Sequence, residues 1–277
     1  SGGGNRGPLE AGAIAAMLES DITPDFLVGT SAGAINACFI AAHGYSAATL
    51  EALREQWGAV NKQTVYPGGL LSIALRVLRG RNSLFAGDGL RRLIEQSLPA
   101  GVKTFGDLQM PLFVTAADLR ASKLYVFGED PAVALVDAVT ASASVPVIHP
   151  PVDYFGLQLA DGGILANVAA SYAMDRGATE IYVINVGRGE ERKPAAQGVV
   201  DVAMNSITAM TVQSLLRDLA RARQDESIDL HHIQIRDYAE ISFSDFSKSD
   251  LLFAAGHQAA LNYLDSPKPE WEEPEYA

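Results

Sequence analysis

One uncharged stretch, residues 26–42, constrains the fold of this chain more than any other. It holds Ser31 between Gly29 and Gly33. The apolar residues before Gly29 predict the end of a buried strand, and the small and apolar residues after Ser31 predict a helix. Glycine on both sides of a serine permits a sharp, strained turn between a strand and a helix that pack closely. Ser31 is therefore predicted to project from such a turn.

A five-residue match of this kind has a second interpretation. Small residues can simply allow close strand-helix packing, with the serine taking no part in chemistry. Other segments of the chain distinguish the catalytic interpretation of Ser31 from the packing interpretation.

Residues 1–7, Ser-Gly-Gly-Gly-Asn-Arg-Gly, form a glycine-rich loop that is followed by Pro8 and a helical pattern. Such a loop exposes successive backbone N–H groups, and the helix that follows contributes its positive end. Proline in the first turn of a helix is well tolerated. The loop is therefore predicted to attract an anion.

Two anions are candidates for this loop: a dinucleotide phosphate and a developing oxyanion. The spacing Gly2-x-Gly4-x-x-Gly7 fits a dinucleotide phosphate, which also requires a preceding strand and an acid that closes a second strand. Asp21 and Asp25 lie near the required position, but the strand after them runs into the serine turn. A developing oxyanion above the serine uses both loops at once and is the favoured interpretation.

A third segment, Asp161-Gly162-Gly163, closes a short apolar strand predicted at residues 157–160. Asp-Gly is ordinarily a turn signal. Here the apolar residues on both sides place the carboxylate in a half-buried position, where acids are rarely found without a partner.

Composition limits the class of protein. The 277 residues are 48% hydrophobic, which is ample for a core, and the formal net charge of −12 argues against a nucleic-acid partner. The single cysteine, Cys38, lies in the apolar helix after Ser31 and is read as a small buried hydrophobe. It fits a reducing compartment, so we expect a cytoplasmic location.

Strands alternate with helices along the chain, which predicts an α/β protein: a three-layer α/β/α sandwich with a mostly parallel central sheet. We expect one domain over residues 1–265, since no repeat or shift in composition marks a second. Residues 266–277 form an acidic tail that contains proline.

A membrane contact is predicted at residues 68–81, where leucine, isoleucine and valine alternate with Arg76, Arg79 and Arg81. A greasy, locally basic helix in an acidic protein suits an interfacial patch or a lid. An ordinary core helix with a solvated basic end is the alternative. No run is predicted to span a membrane, because residues 26–42 are interrupted by polar residues and glycine.

The three motifs occur in one order: a glycine-rich loop at residues 1–7, Gly-Thr-Ser-Ala-Gly at 29–33 and Asp-Gly-Gly at 161–163. Together they resemble the patatin-like phospholipases, the lipid acyl hydrolases, of bacterial type. Residues 141–146, Ala-Ser-Ala-Ser-Val-Pro, are similar to the family's segment ahead of the aspartate. The family has a short apolar strand before the loop, whereas this sequence begins at the loop, so we expect such a strand to have preceded it.

The resemblance implies a Ser-Asp dyad without histidine. Ser31 would be the nucleophile, Asp161 would accept its proton, and the amides of Gly3 and Gly4 would hold the oxyanion. The implied oxyanion loop comprises Gly2, Gly3, Gly4 and Asn5. The other motif positions are Gly7, Gly29, Gly33, Gly162 and Gly163.

This chemistry predicts hydrolysis of carboxylic esters in lipids, with no cofactor and no metal. Serine becomes a nucleophile when a base takes its proton. A carboxylate is a weak base, so the oxyanion donors must carry much of the catalysis, and partial burial of Asp161 should raise its pKa. Phospholipids, lysophospholipids and simple esters all remain candidate substrates.

Two other functions remain open. A Ser-His-Asp hydrolase could use His257 with Asp229 or Asp225, although too few residues precede Gly29 for the strands that usually come before that turn. A catalytically silent lipid- or acyl-binding module could retain the pocket. The remaining histidines, which lack metal-ligand spacing, are His43, His149, His231 and His232.

Overall fold

The order of helices and strands follows the predicted alternation. A computed structural model describes residues 1–187, 195–236, 238 and 241–266. The helices are α1 (Gly7–Glu19), α2 (Ala32–His43), α3 (Ala47–Ala59), α4 (Lys62–Val65), α5 (Leu70–Leu78), α6 (Asp88–Ser97), α7 (Leu135–Ser142), α8 (Ala170–Asp175), α9 (Val199–Gln224) and α10 (Ser249–Asp265). The strands are β1 (Leu27–Gly29), β2 (Leu112–Asp118), β3 (Lys123–Phe127), β4 (Val152–Tyr154), β5 (Leu157–Asp161), β6 (Glu180–Asn185) and β7 (Asp229–Gln234).

Strand β2, buried along its whole length, organises the larger sheet. Its first residues pair in parallel with β1, where Gly29 lies opposite Val114. Its last residues pair antiparallel with β5, where Asp161 lies opposite Ala116, while β3 occupies the other edge. Strands β1 and β5 therefore run toward each other along one edge of β2, and their carboxyl ends meet on either side of Thr115.

The smaller sheet, β6 with β7, shows the layered arrangement most clearly. Side chains alternate across a strand, so successive residues face opposite layers. Ile181 and Val183 pack toward α9 with Leu215 and Leu219. Tyr182 and Ile184 pack on the opposite side, in the cluster that contains residues of α1 and α10. Helices therefore cover both faces of this sheet, which confirms the predicted α/β class.

The strand pairing is less parallel than predicted. Among the described residues, β1–β2 and β6–β7 are parallel, whereas β2–β3, β2–β5 and β4–β5 are antiparallel. Residues 119–122 join β2 to β3, and Phe155 and Gly156 join β4 to β5. Connections this short cannot hold the crossover that a parallel pair needs. The sheet in this region is therefore mixed.

Helix α9 corrects the prediction that no run is long enough to span a membrane. By length and composition alone it could cross one, and 11% of its most apolar stretch is buried. The sequence pattern concealed this because uncharged polar residues are interspersed among the apolar ones. Leu215 and Leu219 nevertheless anchor the second half of the helix in the protein.

The predicted tail, residues 266–277, lies outside the described residues apart from Ser266. The division into a domain at 1–265 and an acidic tail stays a prediction. Within residues 68–81, Leu70–Leu78 form α5, in which no residue is buried, so the alternative of an ordinary core helix is wrong.

Candidate active site

Ser31 occupies the turn between β1 and α2 that its flanking glycines predict. Its φ angle of 55° lies in the left-handed region, which is strained for a residue other than glycine. A Cβ on Gly29 would lie 2.6 Å from the Cα of Ala34, so strand and helix can approach this closely only with glycine there. The backbone N–H of Ser31 donates to the Ser142 hydroxyl at 2.9 Å. The turn is therefore stabilised by a hydrogen bond to Ser142 as well as by its own glycines.

Asp161 ends β5 and is buried, with 6% of the residue exposed. Its carboxylate accepts the N–H of Gly163 at 2.8 Å. Burial raises the pKa of Asp161 to about 6, and this effect exceeds the opposing hydrogen bonds from the Ser31 side chain and the Gly163 amide. A carboxylate of this kind is a stronger base than an exposed one while remaining ionised at neutral pH.

Two threonines join the meeting strand ends. The hydroxyls of Thr30 and Thr115 lie 2.7 Å apart, and Thr30 also donates to the carbonyl of Ala166 at 3.0 Å. A Cβ on Gly162 would lie 2.3 Å from the Thr115 hydroxyl, so glycine is required where β5 passes this layer. The result is a packed, hydrogen-bonded layer beneath Ser31 and Asp161.

The glycine-rich loop lies against the same turn. The Gly33 amide donates to the carbonyl of Ser1 at 3.0 Å. Asn5 is buried, and its side-chain amide donates to the carbonyls of Ser242 and Asp245 at 2.8 and 2.7 Å. Asn5 therefore fixes the loop to the segment that precedes α10.

The amides of the loop have different partners. Gly2 donates to the backbone carbonyl of Asn167 at 3.3 Å and to its side-chain oxygen at 3.1 Å. Within the described parts of the chain, the amides of Gly3 and Gly4 donate to no protein acceptor. Asn167 therefore occupies the Gly2 amide, and the assignment of Gly2 to the oxyanion loop stays a prediction.

A cavity of about 690 Å³ contains these groups. Ser31, Asp161, Asn167 and the loop from Gly2 to Arg6 form its polar end. Its other walls are mainly apolar, and they include Ile73, Leu84, Phe85, Val145, Ile148, Val200, Met204, Ile207, Val212, Leu215 and Phe243. Cavities of this size, with a few convergent polar groups, are typical of small-molecule sites.

Two helices direct their positive ends at the polar end of the cavity. Ser31 is the N-cap of α2, and the glycine-rich loop leads through residues 4–6 into α1, which starts at Gly7. Helix N-termini favour negative charge. The arrangement can therefore stabilise an anion that forms above the serine.

No histidine lies among the described residues that line this cavity. His257 pairs instead with Glu19 at 2.9 Å, on the contact between α10 and α1. Asp225 accepts hydrogen bonds from Ser227, and Asp229 lies near His231. The structure therefore does not bring the groups of the alternative Ser-His-Asp triad to Ser31.

A possible cation-binding group lies elsewhere, at the start of β6 and β7. Ligand atoms of Glu180, Asp229 and His231 are within 4.8 Å of one another, across the register that pairs Glu180 with Asp229. None of the three lines the cavity, so the group has no part in chemistry at Ser31.

Sequence reasoning missed three supporting residues. Ser142 lies in the segment 141–146, which was recognised but given no role. Asn167 is buried in the structure, and its position shortly after the Asp-Gly-Gly motif is the signal that the sequence offers. Thr115 gave no signal, because a threonine in an apolar strand is common.

Comparison with known proteins identifies similar sequences. The sequence model of the patatin-like phospholipase family matches residues 1–174. The chain is 31% identical over 193 residues to "Patatin-like phospholipase domain-containing protein 7" of Rattus norvegicus, covering 69% of this chain and 13% of the rat protein.

Two further relatives are a bacterial and a fungal protein. Identity to "Uncharacterized protein YqhO" of Bacillus subtilis is 32% over 186 residues, covering 60% of this chain and 62% of that protein. Identity to "Lysophospholipase nte1" of Aspergillus niger is 26% over 294 residues, covering 97% of this chain and 18% of the fungal protein. The chain thus spans a small part of the length of the rat and fungal relatives.

Proposed function

The chain belongs to the patatin-like phospholipase family, and from this membership we propose that it hydrolyses carboxylic esters of lipids through a dyad of Ser31 and Asp161. The observation that carries the proposal is the buried carboxylate of Asp161 beside the strained serine turn, in a cavity that also contains two amides with no acceptor among the described residues. The name of the Aspergillus relative supports a lipid ester as substrate.

Acylation begins with attack of Ser31 Oγ on the carbonyl carbon of the ester, while the hydroxyl proton moves to the Asp161 carboxylate. The carbonyl oxygen becomes an oxyanion, which the amides of Gly3 and Gly4 bind with help from the two helix N-termini. The intermediate collapses as the C–O bond to the alcohol breaks, and Asp161 returns the proton to the departing alkoxide.

Deacylation repeats the sequence with water. Asp161 removes a proton from a water molecule, which attacks the carbonyl carbon of the acyl-serine. Collapse of the second intermediate releases the fatty acid and returns the proton to Ser31 Oγ. The dyad then has its starting charges.

Asp161 suits both proton transfers because of its raised pKa. A general base works best with a pKa near the working pH, and a pKa of about 6 leaves it mostly ionised at pH 7. No histidine is needed to relay the proton. A cytoplasmic location remains part of the proposal; the buried thiol of Cys38, with its pKa raised to about 12, is compatible with it.

Hydrolysis of a short p-nitrophenyl ester and of a lipid panel tests the function. The panel includes phosphatidylcholine, lysophosphatidylcholine and a simple triglyceride, with released fatty acid measured by mass spectrometry. We expect turnover of the short ester and of at least one phospholipid. Absence of turnover on every substrate, with a folded protein, would contradict the proposal and favour the binding module.

The pH dependence of kcat/KM reports on the base. Because only ionised Asp161 can accept the proton, kcat/KM should fall about tenfold per pH unit below pH 6 and reach a plateau above it. Histidine titrates in the same range. His257→Ala is the control, and we expect it to retain both the rate and the acidic limb. A limb that disappears in this variant would assign the base to His257.

Asn167 is proposed as a positioning residue for the oxyanion loop. Its backbone carbonyl and its side-chain oxygen both accept the Gly2 N–H, and the residue is 1% exposed. Asn167→Ala removes the side-chain acceptor and lets the loop shift. We expect kcat to fall about 10- to 100-fold with KM changed less than about threefold, because the loss concerns the transition state. A parallel rise in KM with kcat unchanged would indicate a substrate-binding role instead.

A further inference from the structure

Two helices that line the cavity, α5 and α9, also carry exposed apolar side chains. Helix α5 has no buried residue, and Leu70 and Leu78 are 87% and 82% exposed. On α9, Val199 is 88% exposed and Val202 and Met210 are also exposed. Clusters of exposed apolar side chains on a protein surface mark interaction sites. We call this set, the exposed apolar side chains of α5 and of the first half of α9, the apolar rim.

The charged residues of α9 are concentrated in its second half, which is also its more buried half. From Val199 to Leu216 the only charged residue is Asp201, whereas the part beyond Leu216 contains four charged residues. The buried residues of α9 all lie in its second half. The less buried half of α9 therefore contains a single charged residue, Asp201, the opposite of what an aqueous surface favours.

Both helices of the apolar rim reach the cavity itself. Ile73 of α5 and Val200 and Met204 of α9 line it together with Ser31. These side chains therefore connect the exposed apolar surface of the two helices to the cavity that holds Ser31. Continuity between the rim and the cavity is therefore what a membrane-bound substrate requires.

The charge beside α5 fits an anionic bilayer, whereas one acid, Asp201, lies among the rim residues of α9. Residues 68–82 contain no acid, and the exposed side chains of Arg79 and Arg81 follow α5 directly, in a chain with a formal net charge of −12. Basic residues beside an inserted apolar helix are attracted to anionic lipids. Because the second half of α9 is anchored in the domain, contact at the surface fits better than insertion across the membrane.

From these observations we infer that the apolar rim docks this protein on an anionic lipid bilayer and presents the cavity to it. The inference rests on the proposed lipid substrate. It deepens that proposal, because it states where the substrate comes from and which face of the protein receives it. Docking itself does not depend on the catalytic dyad.

Vesicle sedimentation with the Ser31→Ala protein tests docking without hydrolysis. The vesicles are phosphatidylcholine alone, and phosphatidylcholine with phosphatidylglycerol in equal amounts. We expect sedimentation with the anionic vesicles, and a loss of affinity of at least about tenfold in Leu70→Asp/Leu78→Asp and in Val199→Asp/Val202→Asp. Arg79→Gln/Arg81→Gln should lower affinity for anionic vesicles about fivefold per arginine and leave the neutral vesicles unaffected.

Phe155→Asp is the matched control. Phe155 is 93% exposed and lies in the turn between β4 and β5, at the far end of β5 from Asp161 and outside the rim, so its replacement should not change sedimentation. Unchanged melting temperatures show that the variants fold. Lack of vesicle binding, or equal binding by the rim variants, would overturn the inference. So would a wild-type dimer in light scattering that the rim variants dissociate, since it would assign the rim to a second copy.

The two proposals can fail separately. Turnover of soluble esters without vesicle binding would remove the docking inference and leave the hydrolase. Vesicle binding without turnover of any ester by the wild-type protein would remove the hydrolase and leave docking.

Discussion

Replacing Ser31 with alanine is expected to lower kcat for a short p-nitrophenyl ester by at least about 10⁴-fold, because the acyl-enzyme can no longer form. The backbone strain at Ser31 and the bond from its amide to Ser142 do not involve the hydroxyl. The variant should therefore keep its fold and its melting temperature. Steady-state kinetics and a thermal melt measure the two quantities.

Ser249→Ala is the control for this change. Ser249 is also buried, but its hydroxyl donates to the carbonyls of Trp57 and Phe246, away from the cavity. It should retain the wild-type rate. Full turnover by Ser31→Ala would show that another nucleophile is at work.

Asp161→Asn is expected to lower kcat by about 10²- to 10⁴-fold, because asparagine cannot accept the proton of the serine. The amide oxygen can still accept the Gly163 N–H, so the turn at the end of β5 should persist. The buried control is Asp118→Asn. Asp118 is the last residue of β2. It is buried, accepts the backbone N–H of Arg120 and does not line the cavity, so this variant should keep its activity.

Asp161→Asn should also make the fold more stable. The pKa of Asp161 is raised in the folded protein, so the folded state binds more protons than the unfolded state between about pH 4 and pH 6. Wild-type stability therefore falls as pH rises through this window, and above it the buried charge costs about 2–3 kcal/mol. Asp161→Asn should exceed wild type by about that free energy of unfolding at pH 8 and match it near pH 3, as chemical denaturation can measure. A less stable variant at pH 8 would indicate a structural role for the carboxylate.

The sequence was sufficient to predict the turn at Ser31 and the acid at the end of β5. Glycines around Ser31 and an acid at the end of an apolar strand have local causes, a tight turn and a half-buried carboxylate, and both are readable from a few neighbouring residues. Resemblance to a family joined these distant motifs. The meeting of the two strand ends across Thr115 could not be read, because strand pairing depends on residues far apart in the chain.

The directions of strand pairing were predicted less well than the order of helices and strands. Alternation of strands and helices favours parallel sheets, and it led to a mostly parallel prediction. The connection between β2 and β3, residues 119–122, is too short for a crossover, so the antiparallel direction of this pair has a local cause in the sequence. By contrast, the hydrogen bond of the Gly2 amide could not be predicted, because its partner, Asn167, lies 165 positions away.

The rate at which a fluorophosphonate modifies Ser31 tests the central claim most directly. Peptide mass spectrometry should find one adduct, on Ser31, and the rate of its formation should fall at least about 100-fold in Asp161→Asn. An adduct on another residue, no adduct, or equal rates in both proteins would contradict the proposed dyad.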